Sequence, residues 1–143
     1  MCYRVFMNAT IVKQLTLATF VLALAIFLSG CATALKPAAS GKVYHIGLVW
    51  LKEPGNAEQR QKIVAAAHDF AREIPEVKFL SVGQTLSSPS SYVDDSFDVC
   101  VVMQFADKAA MERYNQHPVH QKAAQEAFLP LSQRILFYDF VSE

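Results

Sequence analysis

Proton chemistry in this chain would fall to three side chains, His45, Tyr114 and His120. A neutral imidazole titrates near neutrality and can act as a base, and a helix N-terminus beside His120 would disfavour its charged form. The phenol of Tyr114 can donate to an oxygen on which negative charge develops. Two of the three lie in one short run, Tyr114-Asn115-Gln116-His117-Pro118-Val119-His120. A structural reading stands beside this one: Tyr114 as an amphipathic core residue, with His117 and His120 capping a helix break or bonding backbone groups.

A metal reading of the same histidines is weaker. His117 and His120 are three apart, His45 could approach them, and three histidines can hold zinc with an open position. The bend at Pro118 spoils helical spacing, and no carboxylate is placed to orient the rings, so neither a metal nor another cofactor is expected. Cys100 has no basic neighbour in sequence and reads as a buried, inert thiol. Asp94, Asp95 and Asp98 offer too few oxygen ligands for calcium and read as a solvated loop. His68 reads as a surface residue.

The elements that must position these groups follow from periodicity. Val43 to Leu51 is an apolar, β-branched and aromatic run that predicts a strand, stopped by Lys52-Glu53-Pro54-Gly55. Asn56 with Gln59 makes a capping box for a helix, whose buried stripe is Ile63, Val64, Ala67, Phe70, Ala71 and Ile74, ended by Pro75. Val77 to Leu86 reads as a second strand, Ser87 to Ser91 as loop, and Phe97 to Phe105 as a third strand. Asp107 caps a helix running to Tyr114, broken across Asn115 to Pro118. Pro118 then opens another helix, carrying Ala123, Ala124, Ala127 and Phe128 before Pro130, and Ile135 to Val141 is the last strand.

The order β-α-β-β-α-β predicts an α+β, ferredoxin-like fold with helices on one face of a four-stranded antiparallel sheet. If His45, Gly47, Val49 and Leu51 face the helices, then Tyr44, Ile46, Leu48 and Trp50 face away. That second set is too apolar to stay wet, so a homodimer joined sheet to sheet is expected.

The N-terminus carries a different signal. Leu15 to Leu28 contains no charge, follows Lys13, and runs into Leu28-Ser29-Gly30-Cys31. The run is short for a transmembrane helix and suits a signal peptide. Its ending resembles the lipobox of bacterial lipoproteins, which implies cleavage before Cys31 and acylation of its thiol. Met7 as the start would put Lys13 and the apolar run at more usual signal-peptide distances than Met1 does. The reading gives a signal peptide over 1–30, a lipidated tether over 31–42 rich in Ala, Pro, Ser and Gly, and one domain over 43–143. Several acyl chains on Cys31 make a stable anchor to membrane lipid. Placement in the bacterial cell envelope follows, and Ala32 after the cysteine favours the outer membrane in a Gram-negative host.

Removing the signal takes away Arg4 and Lys13, leaving eleven Lys and Arg against thirteen Asp and Glu. That slight acidity gives no electrostatic case for binding nucleic acid. With Cys31 acylated and Cys2 removed or absent, Cys100 is the lone thiol and no intrachain disulfide can form.

Five stretches together resemble the stress-responsive α/β-barrel (Dabb) domain: Val43-Tyr44-His45-Ile46, Ile74-Pro75-Glu76-Val77, the strand through Phe105, Ala110 to His120, and Phe137-Tyr138-Asp139-Phe140. The resemblance implies a dimeric α/β barrel, and a fold of this kind hosts many functions. Likeness to the plant polyketide cyclases of that family implies a catalytic pair at Tyr114 and His120, the histidine abstracting a proton and the tyrosine polarising a carbonyl. His45 and His117 are candidate ligand-binding residues. One departure counts against the enzyme: Val99 stands where the cyclases place another polar cavity residue.

Three functions remain in view. The first is an envelope module that binds a small apolar or aromatic molecule or serves as an assembly unit. The second is a proton-transfer enzyme acting on a carbonyl compound. The third, a haem- or quinol-handling monooxygenase, rests only on related dimeric barrels.

Overall fold

A computed structural model describes residues 40–143 of the chain. The expected signal segment, the expected acylation site at Cys31 and most of the expected tether therefore lie outside the described residues. Strand β1 spans Val43–Leu51, helix α1 Ala57–Glu73, β2 Phe79–Gly83 and β3 Val99–Phe105. Helix α2 spans Lys108–Gln116 and α3 Pro118–Ala123; a π-helical turn over Ala124–Phe128 leads to a last helical turn, α4, over Leu129–Leu131, and β4 runs Ser132–Val141. The four strands form one sheet in the order β2-β3-β1-β4, with every pairing antiparallel. This is the ferredoxin-like α+β fold that the element order predicts.

Alternation of burial along β1 follows the two-residue period of a strand. Val43, His45, Gly47, Val49 and Leu51 are buried, and the residues between them are half-buried. Val99, Val101, Met103 and Phe105 of β3 join them, and Ile63, Ala67 and Phe70 of α1, Ile74, and Ala110 and Tyr114 of α2 close the core from above. The other sheet face carries Tyr44, Ile46, Leu48 and Trp50 beside Leu136, Tyr138 and Phe140, which the register pairs with Leu48, Ile46 and Tyr44. Tyr44 and Phe140 stack there with ring centroids 4.8 Å apart.

Several local expectations need correction. Only half of the capping box forms: the Asn56 side chain accepts from Gln59 N, while the Asn56 amide donates to the Glu53 carbonyl instead of to Gln59. Strand β2 is shorter than Val77 to Leu86, because Val77 N closes a turn onto the Ile74 carbonyl and Leu86 is left 84% exposed. Asp98 stands outside β3. Its carboxylate accepts from Leu51 N at 2.8 Å and Gly55 N at 2.6 Å, fastening the turn after β1. Asp94 and Asp95 accept from Ser96 and Ser88 and so serve turns of their own loop.

Pro130 does not end the helical run either. A wide turn, with Leu129 N bonded to the Ala124 carbonyl five residues back, carries the chain past the proline. Pro130 has no N–H to offer and crowds the carbonyl four residues before it, and a π turn relieves both. Helix α2 also runs through Asn115 and Gln116 before breaking, so that His117 is at once its C-cap and the N-cap of α3.

Residues 41 and 42, read as the end of the tether, are fixed in place. Gly41 N donates to the Ser142 carbonyl, Ser142 N to the Lys42 carbonyl, and Lys42 N to the Ser142 hydroxyl. Among the described residues no helix is long and apolar enough to cross a membrane.

Candidate functional site

Between the inner sheet face and the helices lies a cavity of about 200 Å³. Its walls are largely apolar, with Val49, Val101, Met103, Phe70 and Phe128 among them. His45, Tyr114 and His120 are its titratable lining groups. They arrive from β1, the end of α2 and α3, and the strand period puts His45 on the buried face.

Tyr114 is 1% exposed and packs against Phe105, Phe70 and His120, with ring centroids 5.0, 5.8 and 4.2 Å away. Its hydroxyl makes no hydrogen bond among the described residues. A buried phenol normally finds a partner, so this one is an open donor at the cavity wall. Burial also pushes its ionisation well above the ordinary tyrosine value, so the proton stays on oxygen at neutral pH.

His120 lies edge-on to Phe70 and beside Tyr114. Burial lowers its pKa below the ordinary histidine value; a bond from Nδ1 to the Asn115 carbonyl works the other way, and the nearby His45 and His117 add to the lowering. The neutral form is favoured, as the sequence predicts, but burial is the main cause and not a helix N-terminus.

His45 is 8% exposed, and its Nδ1 lies 2.6 Å from Oδ1 of Asp139 on β4. The register puts the two residues directly opposite each other. A carboxylate on Nδ1 holds the proton there and leaves Nε2 as the free acceptor. Sequence reasoning missed Asp139 as a site residue. The one available signal was a lone charge in the otherwise apolar and aromatic run Ile135 to Val141.

The structure thus brings His45, Tyr114 and His120 together and leaves His117 off the cavity wall. His117 Nδ1 accepts from Val119 N at 3.3 Å, a capping role at the break between α2 and α3. His68 is exposed on α1. Cys100 is half-buried on the outer sheet face, and burial raises its thiol pKa, away from a reactive thiolate. Among the described residues no group of three His, Cys, Asp or Glu side chains is arranged to hold a metal ion.

Residues 43–142 match the stress-responsive A/B barrel domain, Dabb. The chain belongs to the Dabb family. A Dabb protein with a ferredoxin-like fold from Mesorhizobium loti is 23% identical, with a TM-score of 0.61 over 72% of this chain and 98% of that one. The hydroxynitrile lyase from Passiflora edulis is 22% identical, with a TM-score of 0.64 over 73% and 96%. A dimeric ferredoxin-like protein of unknown function from Jannaschia is 22% identical, with a TM-score of 0.58 over 70% and 98%. No curated protein matches the chain. At these identities the solved structures establish the fold of this Dabb domain.

Proposed function

We propose that this protein is a lipid-anchored component of the bacterial envelope whose Dabb domain forms a homodimer and binds a small, mainly apolar or aromatic molecule beneath its helices. One observation carries the binding role. The Tyr114 hydroxyl, an unpartnered donor among the described residues, belongs to a buried ring lining an apolar cavity that His45 and His120 also line. A cavity of roughly 150 Å³ takes up benzene. One of about 200 Å³ suits a single ring with a short polar substituent.

The homodimer is supported by the apolar outer face, where Tyr138 and Phe140 are each about half exposed on one chain, and by the dimeric relative from Jannaschia. The anchor rests on Leu28-Ser29-Gly30-Cys31 after a charge-free run, and Ala32 favours the outer membrane of a Gram-negative host. Cys31→Ser should abolish incorporation of labelled fatty acid and leave the precursor uncleaved. Label still entering that variant would overturn the anchor.

A second reading, an enzyme that moves a proton on a carbonyl compound, is favoured by the His45–Asp139 contact at 2.6 Å. In that reading neutral His120 takes a proton from the carbon next to the carbonyl, the C–H electron pair becomes an enolate, and the Tyr114 hydroxyl donates to the enolate oxygen. His120 then returns the proton to carbon, and His45, whose Nε2 Asp139 leaves as an acceptor, holds the substrate by accepting from one of its O–H or N–H groups. The hydroxynitrile lyase from Passiflora edulis is an enzyme on this fold, which supports the second reading by analogy.

Mass spectrometry of what co-purifies with the protein from its own host tests the binding role. A bound small molecule that diminishes in Tyr114→Phe is the expected result. An empty cavity that also refuses added aromatic ketones would leave only an assembly role. Deuterium exchange into the methyl group of bound acetophenone separates the two readings: exchange lost in His120→Ala marks an enzyme, and binding without exchange marks a carrier.

A further inference from the structure

The cavity wall contains one residue whose placement neither the fold nor the proton chemistry requires. Phe137 faces the helices from β4, directly opposite Gly47 on β1. Its ring stacks on His45, with centroids 4.7 Å apart and planes 22° from parallel, and it lines the cavity while remaining 54% exposed. An aromatic side chain half in water at an edge strand is held there by what lies beneath it.

What lies beneath it is a missing side chain. A Cβ on Gly47 would sit 3.0 Å from Cε1 and 3.3 Å from Cδ1 of Phe137. The φ of Gly47 is not positive, so backbone conformation does not call for glycine here. The vacancy is filled by the ring, which lies down across β1 instead of standing off the sheet. The other strongly exposed lining residue is Leu129, 60% exposed, so the cavity opens beside β4 and Phe137 lies at its mouth.

We propose that Phe137, laid flat over Gly47 and stacked on the His45 ring, is the specificity-determining wall of the cavity and selects a flat, unsaturated ring over a puckered one of equal size. The physical basis is that two aromatic rings gain an offset-stacking contact that a saturated ring does not provide, while apolar burial is nearly the same for both. This rests on the binding role proposed above and names the shape of what binds. Phe70, Tyr114 and Phe128 also line the cavity, but Phe70 packs on both of the others, whereas Phe137 lies 54% exposed at the mouth, so the preference would reside chiefly in Phe137.

Titration calorimetry of the purified full chain with acetophenone and with cyclohexyl methyl ketone, which share one skeleton, is the test. The expected result is acetophenone binding about fivefold more tightly, the size of one aromatic pair contact. In Phe137→Leu the preference should collapse to within about twofold, with the cyclohexyl ketone little affected. Gly47→Ala should lower the preference by a smaller factor, since a methyl group 3.0 Å from the ring pushes it aside by a few tenths of an ångström while the Phe137 side chain is kept. A preference that survives Phe137→Leu unchanged overturns this inference, as does a wild-type protein that binds both ketones equally; in either case the binding role stands. A wild-type protein that binds neither ketone overturns both.

Discussion

His45 and Asp139 are 94 positions apart and meet at 2.6 Å, because β1 and β4 are antiparallel neighbours whose register sets these two residues opposite each other. The contact joins a buried ring to a half-exposed carboxylate, with side-chain exposures of 10% and 47%. Its effect is directional. It ties one nitrogen of the imidazole and leaves the other available.

Asp139→Asn should therefore change the tautomer more than the fold. Nitrogen NMR of the imidazole should report a proton on Nδ1 of His45 in the wild type and a mixture of tautomers in the variant. Because Asp139 is half exposed, the loss of stability in urea should stay below about 1.5 kcal/mol. An unchanged tautomer would mean that the carboxylate does not orient the ring.

Tyr114 separates packing from chemistry. Tyr114→Phe loses no hydrogen bond present in the free protein, so stability should change by less than about 1 kcal/mol, while affinity for a ketone should fall about tenfold. Tyr114→Ala removes a ring packed against Phe70 and Phe105 and should cost about 3–5 kcal/mol. Equal losses of affinity and stability in the phenylalanine variant would favour a structural role for the hydroxyl.

Acid should weaken the domain through His120. The unfolded chain takes up this proton near pH 6.5, and the folded chain only at a lower pH because burial disfavours the charge. Between those two values the unfolded state holds more protons, so stability is full above about pH 6.5 and falls as pH drops through the folded-state pKa. Denaturation midpoints from pH 8 to pH 5 should show this decline, and His120→Gln should flatten it. A slope unaffected by the substitution would place the effect elsewhere.

Leu48 tests the outer face. It is half-buried at the middle of β1, between Cys100 and Leu136 on the neighbouring strands. Leu48→Glu would bury an unpaired charge in a sheet-to-sheet dimer at a cost of about 3–5 kcal/mol, yet should cost the single chain little. Light scattering should read twice the chain mass for the wild type and the single mass for the variant. A wild-type protein that runs as a monomer at micromolar concentration would remove the dimer.

The fold was legible because its elements are written in local periods. The two-residue alternation of β1 gave the buried face that carries His45, and the stripe Ile63, Ala67, Phe70, Ile74 gave the helix that covers it. Tyr114 and His120 were legible as residue types. Asp139 and Phe137 were not, because their roles depend on which residue of β1 each one faces, and strand register is a long-range property with no local mark. Pro130 misled for the converse reason: its local rule is to end a helix, and a π turn met that rule without ending the helical run.

The hydrogen bonds that tie Gly41 and Lys42 to Ser142 bear on how the domain would carry load. Tension applied to the chain upstream of residue 40 enters β1, a central strand flanked by β3 and β4. Because β1 is hydrogen-bonded on both sides, drawing it out of the sheet breaks both ladders. For a domain held to a surface by its leading end, the strand that takes the strain is the one bearing His45, so mechanical resistance and the geometry of the cavity share a single support.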